Sequence, residues 1–182
     1  MPRRLLLLLV PAGLVLLGAA FALSRADGQD REGSEEAHAT AAPDPDETVA
    51  QARAFLATDR PWRAALVMRR YLAEAPAAPA EHRVLAARAE AGWGDWAAVH
   101  EVLAGVPALD THEGGVGLYL LGRARDERGD ARDAAEAYRA FLALSAPAGA
   151  LEQERAAARL RLGLALLRTG DPTEARTELE AA

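Results

Sequence analysis

The stretch LYLLGRARDERGDARDAAEAYRAFL, residues 118–142, reads as two helices joined by a turn at Gly129-Asp130. Leu118, Leu121 and the small Gly122 precede the turn. Ala134, Tyr138, Phe141 and Leu142 follow it, and the last three recur near the helical period of about 3.6 residues.

The same figure returns along the chain. Gly94-Asp95-Trp96 lies 35 residues before Gly129-Asp130-Ala131, and Gly170-Asp171-Pro172 lies 41 residues after it. A weaker copy, Asp59-Arg60-Pro61, stands 35 residues before Gly94. Seven residues ahead of each turn is a small residue: Ala52, Ala87, Gly122 and Gly163. Five residues beyond it come Ala64, Val99, Ala134 and Ala175, and nine beyond it Met68, Leu103, Tyr138 and Leu179. A small residue on the first helix lets the second pack close, and the large one fills the groove toward the next pair. The spacing predicts eight helices in antiparallel pairs.

Other signals agree. Leu66, Tyr71 and Leu72 also recur at helical spacing, the chain holds no Ile, and no stretch alternates as a strand would. Pro61 and Pro172 fall at first turns, where a missing N–H does no harm. Pro76, Pro79, Pro107 and Pro147 fall where second helices should stop. Asp44-Pro45-Asp46-Glu47 and Asp171-Pro172-Thr173-Glu174 read as capping boxes.

This pattern resembles the tetratricopeptide repeat (TPR) family, most clearly in Leu118, Leu121, Gly122, Gly129, Ala134, Tyr138 and Phe141. The resemblance covers about residues 45 to 182, as three complete units and a fourth that stops near the end of its second helix. It implies an all-α, right-handed α-solenoid of antiparallel helix pairs that binds proteins and is not an enzyme. Three departures stand out: Gln51 where an apolar residue is usual, Asp59 for Gly in the first turn, and an insertion around Ala146 to Glu152. The insertion should lengthen the following helix by two turns. A generic array of α-hairpins is the structural alternative.

Composition divides the chain into three parts. Residues 1–23 carry only Arg3 and Arg4 as charges, ahead of a Leu-rich run interrupted by Pro11 and Gly13. A positive start before an apolar block is an export pattern. Small residues at Ala20-Phe21-Ala22 and Ser24-Arg25-Ala26 suit a cleaved signal peptide, whereas the length of residues 5–23 suits a transmembrane anchor. Either fate places the body outside the cytoplasm: single-pass at the cell membrane, or periplasmic or secreted. Residues 24–46 hold seven acidic and two basic side chains and read as a disordered acidic linker. Residues 47–182 form the repeat domain, whose net charge of −3 gives no reason to expect nucleic acid.

Whole classes of chemistry are missing. All 21 basic residues are Arg, so there is no P-loop or Schiff-base lysine. The absence of Cys removes thiol nucleophiles, disulfides and thiolate metal sites. His38, His82, His100 and His112 have no metal-ligand spacing and read as solvated or capping residues. Ser24, Ser34 and Ser145 lie in no nucleophile elbow. Gly114-Gly115-Val116-Gly117 follows no strand and reads as an inter-repeat turn, not a phosphate loop. No catalytic residue, cofactor or metal site is expected.

One feature points to a ligand. Directly after the small residue of each first helix comes Arg53, then Arg88, then Arg123. In the family this slot faces a concave peptide-binding groove, so the resemblance implies a ladder of guanidiniums suited to an acidic peptide or a C-terminal carboxylate. A preference for Arg at any polar surface slot would give the same residues. Tyr119, one turn before Arg123, shares its face. The fourth unit breaks the ladder with Leu164, accompanied by Leu160 and Leu167; either the groove turns apolar there or something covers this end. Leu162, Leu166 and Leu179 are expected near an open end, with residues 150–182 a surface for self-association or a partner unless the natural chain continues. The leading expectation is an extracytoplasmic protein-binding adaptor; the alternative is an oligomerisation element of a cell-envelope complex.

Overall fold

A computed structural model describes residues 44–145, 147, 149 and 151–182. The leader, with its proposed membrane segment 5–23, and nearly all of the acidic linker lie outside the described residues. Among the described residues there is no strand, and no helix is long and apolar enough to cross a membrane.

Among the described residues eight α-helices form four antiparallel pairs: α1 (Pro45–Ala57) with α2 (Pro61–Glu74), α3 (Ala80–Trp93) with α4 (Trp96–Leu103), α5 (Val116–Glu127) with α6 (Ala131–Ala143), and α7 (Glu152–Thr169) with α8 (Pro172–Glu180). A short 3-10 turn, Glu113–Gly115, leads into α5 at the expected inter-repeat turn, with Gly114 and Gly115 both left-handed. Helix α1 begins at Pro45, two residues inside the stretch read as linker.

All four expected turns close in one way. The amides of Arg60, Asp95, Asp130 and Asp171 donate to the carbonyls of Phe55, Glu90, Arg125 and Leu166 at 2.9–3.0 Å. That bond, five residues back, requires a left-handed residue just before it, which Gly94, Gly129 and Gly170 supply at φ of 93°, 86° and 90°. Asp59 adopts φ 53°, a conformation Asp reaches with less strain than most side chains. After the turn, Asp95 and Asp171 cap the next helix by accepting from the amides of Ala98 and Glu174.

Of the two capping boxes expected from the sequence, the one at Asp171 is half made and the one at Asp44 does not form. Glu174 turns its carboxylate away from Asp171 and onto Arg139. Asp44 accepts from the Asp46 amide, one residue short of the box position. Helix α7 runs 18 residues against 14 for α3, so the insertion adds about one turn rather than two.

The small-residue rule holds at the atomic level. A Cβ on Gly122 would stand 2.7 Å from Tyr138 Cε1, and one on Gly163 would stand 2.6 Å from Leu179 Cγ. Ala52 and Ala87 are fully buried at the equivalent positions. The buried core forms three clusters, in which Val49 joins Leu85, Ala86 and Ala89, Val84 joins Leu120 and Leu121, and Tyr138 joins Leu162 and Leu166; the partly buried Val102, Leu118, Tyr119 and Leu151 link one cluster to the next. First helices touch one another along the stack, whereas second helices have no comparable mutual packing, so α1, α3, α5 and α7 line the inner face.

Two bidentate arginines tie neighbouring pairs on the outer layer. Arg69 grips the buried Glu90 at 2.6 and 2.7 Å and also reaches Asp95 at 2.8 Å. Arg139 grips Glu174 at 2.7 and 2.6 Å. They stand 70 residues apart, two repeat lengths, and the position between them is Ala104. Helix α4 has ended by then, at eight residues, because Gly105 and Ala108 take positive φ ahead of and after Pro107. The turns it lacks leave an open cleft of about 490 Å³, lined by Leu103, Val106, Leu121 and Leu144 together with Asp110, Arg125 and Glu136.

Candidate functional site

The residues that the sequence singles out for the groove all lie on first helices: Arg53 on α1, Arg88 on α3, and Tyr119 and Arg123 on α5. Arg53 and Arg88 come together: with Leu56, Ala57, Leu85 and Glu113 they line one depression of about 480 Å³. Helix α1 brings Arg53, Leu56 and Ala57 to it, and α3 brings Leu85 and Arg88. Among the described residues Arg53 is exposed and makes no ion pair. Arg88 donates from Nη1 to Glu113 Oε2 at 2.5 Å, so its charge is already paired within the chain. The floor between them is apolar.

Arg123 stands apart from this pair. Its guanidinium carbon lies 4.3 Å from the ring centroid of Trp96, stacked in the geometry a cation adopts over an aromatic face. Nη2 makes a long bond of 3.4 Å to Glu127, and Nε is buried without an acceptor among the described residues. Its side chain is only 18% exposed. The three arginines therefore do not present equal charges: Arg53 is open, Arg88 is paired, and Arg123 is packed.

Tyr119 is half-buried, with its ring 5.7 Å from Phe141 and 6.4 Å from Tyr138, so it belongs more to the wall between α5 and α6 than to an open surface. Behind it the Tyr138 hydroxyl is buried with no hydrogen-bond partner among the described residues. Burial, assisted by the nearby Asp126 carboxylate, pushes its pKa far above the ordinary phenol range. Asp126 is held by Arg161 at 3.1 Å and by Arg168.

The last pair of helices differs from the sequence expectation in one respect. Leu162 and Leu166 are buried against α5 and α6, because the first-helix face that meets the preceding pair passes through them. The leucines left open on α7 are Leu160, Leu164 and Leu167, each about half exposed. A second correction concerns His82, which is neither solvated nor capping. It sits in the core of α3 with its Nδ1 2.9 Å from the Tyr71 hydroxyl. Among the described residues no three acidic or histidine side chains converge as metal ligands.

Sequence reasoning missed the partners of Arg88 and Arg123. Glu113 is 25 residues from Arg88, and Trp96 is 27 residues from Arg123. Neither distance matches the repeat length, so no periodic signal marks them.

The fold has counterparts among solved structures. A crystal structure of MamA is similar with a TM-score of 0.58 at 19% identity, over 74% of this chain and 69% of that chain. A second MamA structure gives 0.57 at 19% identity, over 74% of each. TPR-like repeats of a Podosopora anserina kinesin light chain give 0.54 at 23% identity, over 75% of this chain and 71% of that one. No family model and no curated protein sequence matches. At these identities the likeness is one of fold, and the fold is TPR-like.

Proposed function

We propose that this TPR-like protein is an interaction adaptor that binds a segment of another protein along the face of α1, α3, α5 and α7, taking acidic side chains at the Arg53 end. The observation that carries this reading is the depression at Arg53, where an exposed guanidinium without an ion-pair partner among the described residues stands over Leu56, Ala57 and Leu85. A guanidinium fork suits a carboxylate, and the apolar floor suits a neighbouring aliphatic side chain. A ligand carboxylate meets Arg53 without competition but must displace Glu113 to use Arg88.

The same reading places the body outside the cytoplasm, held by residues 5–23 as an anchor or released after their cleavage. Arg3 and Arg4 ahead of an uncharged run support it. Protease accessibility of the body in spheroplasts, with the inner membrane left closed, tests the location; protection equal to that of a cytoplasmic marker overturns it.

Binding is tested with the full chain, an Asp/Glu-rich peptide containing leucine, and its Lys-substituted counterpart. The acidic peptide should bind more tightly, with an affinity that falls as salt rises. Arg53→Ala should weaken it several-fold and flatten that salt dependence, with the unfolding midpoint unmoved. Equal binding of the two peptides overturns the reading.

A further inference from the structure

Two depressions occupy one position of the repeat on the outer layer. The first, of about 420 Å³, lies at the seam of pairs one and two, where Arg69, Glu90, Glu101 and Val102 line it. The second is the cleft of about 490 Å³ at the seam of pairs two and three. Its Arg125, Glu136 and Ala137 stand 35 residues beyond Glu90, Glu101 and Val102, so the two are successive copies of one place. They differ in what fills them. Into the first comes the Arg69 guanidinium, which grips Glu90 and reaches Asp95. At the second the corresponding residue is Ala104, and α4 has already ended.

The second cleft lacks that cation but keeps carboxylates. Asp110, from the segment after α4, and Glu136, on α6, both line it and are exposed. Neither makes an ion pair among the described residues. Among the described residues Arg125 is the one cation in the lining, and its Nη1 already donates to the Asp133 carbonyl at 3.1 Å. Two carboxylates against one guanidinium leave the lining at a net charge of −1. The rest of the wall is mainly aliphatic, and the volume falls within the range of ligand clefts, roughly 300–1,000 Å³.

We infer that this cleft is a docking site for an arginine-bearing aliphatic segment of a partner protein. Its guanidinium answers Glu136 and Asp110, and its aliphatic side chains pack on Leu103, Leu121 and Leu144. The partner thus supplies from outside what Arg69 and Arg139 supply from within at the two neighbouring seams. Arginine suits this place better than lysine, because its planar fork bonds two carboxylates at once. A carboxylate in the same place would meet Arg125 only beside two like charges, which costs affinity. The cleft draws on α4, α5 and α6, and the Arg53 depression on α1 and α3, so neither reading depends on the other.

The probe is a short amidated peptide holding leucines and a single arginine, compared with the same peptide carrying glutamate there. Titrated into the full chain, the arginine peptide should shift the amide resonances of residues 103–110 and 136–144 and saturate. It should also slow amide exchange at the ends of α4 and α6. The glutamate peptide should bind more weakly by about threefold or more. Glu136→Gln and Asp110→Asn, both at exposed sites, should each weaken the arginine peptide about threefold and lower its salt dependence. Ala140→Phe, which sets a ring in the cleft from the exposed face of α6, should abolish binding with the unfolding midpoint unmoved. Arg53→Ala should change nothing. Equal binding of the two peptides, binding that survives Ala140→Phe, or no saturable shift at millimolar peptide overturns the proposal. A dimer of the full chain that Ala140→Phe dissolves also overturns it, by assigning the cleft to a second copy.

Discussion

Gly122 lies so close to Tyr138 that no β-carbon fits between them: an added Cβ would stand 2.7 Å from Cε1 and 2.8 Å from Cδ1 of the ring. Tyr138 is fully buried and cannot swing aside. Gly122→Leu should therefore cost about 1–3 kcal/mol by overpacking. Gly122→Ala should cost less, because alanine regains about 1 kcal/mol of helix propensity. Urea unfolding of both variants checks the order. An unmoved midpoint in Gly122→Leu would show that α5 and α6 are not in close contact at this point.

Glu90 and Arg69 form an asymmetric pair, with the carboxylate 1% exposed and the guanidinium side chain 47% exposed. Removing the arginine leaves a charge in the core, whereas removing the carboxylate leaves a charge that can turn to water. Arg69→Ala should then cost about 3–5 kcal/mol, and more than Glu90→Gln. Trp93, which donates to Glu90 from Nε1 at 2.9 Å, cannot replace the lost cation. Equal costs in thermal melts of the two variants would contradict the assignment.

The Arg139–Glu174 pair predicts a pH dependence. The Arg139 hydrogen bonds hold the Glu174 carboxyl below its ordinary pKa. A carboxyl with a depressed folded pKa contributes stability above its unfolded pKa and loses it as pH falls through the folded value. Arg139→Ala should be less stable than the parent at pH 7, by a small amount because both groups are partly solvated. The two midpoints should converge at acid pH, once Glu174 is protonated in both. A gap that stays constant down to acid pH would show that packing, not charge, carries the contact.

Glu113 competes with any carboxylate for Arg88. Glu113→Gln should therefore strengthen binding of an acidic peptide by about fivefold, which is ~1 kcal/mol. Arg88→Ala should weaken it, because Glu113 is then left as an unanswered negative charge in the depression. Titrations at two salt concentrations read both effects. Insensitivity to Glu113 would place the peptide elsewhere.

Much of this architecture is legible in the sequence, for a definite reason. A left-handed residue is needed wherever a helix closes five residues back. Glycine and aspartate are the residues that supply it cheaply, so Gly94, Gly129, Gly170 and Asp59 mark the turns. The early end of α4 is harder to read, since Gly105 and Pro107 look like an ordinary helix stop displaced by a few residues. The candidate site is half legible. Repeat spacing aligns Arg53, Arg88 and Arg123, but spacing cannot say that Glu113 neutralises one and Trp96 shelters another. Those partners come from a loop and a helix N-terminus, whose places are set by tertiary packing.

The alternation of Arg69, Ala104 and Arg139 along the outer layer has a mechanical meaning. Pairs one and two are clamped on that side, as are pairs three and four. Between pairs two and three the outer clamp is replaced by an open cleft, while Arg88–Glu113 and Arg123 on Trp96 still fasten the inner edge. A stack fastened along one edge and slack along the other behaves as a leaf with a single crease. Bending is therefore expected to concentrate at that crease, and amide exchange at the ends of α4 and α6 beside it should be faster than at the two clamped seams.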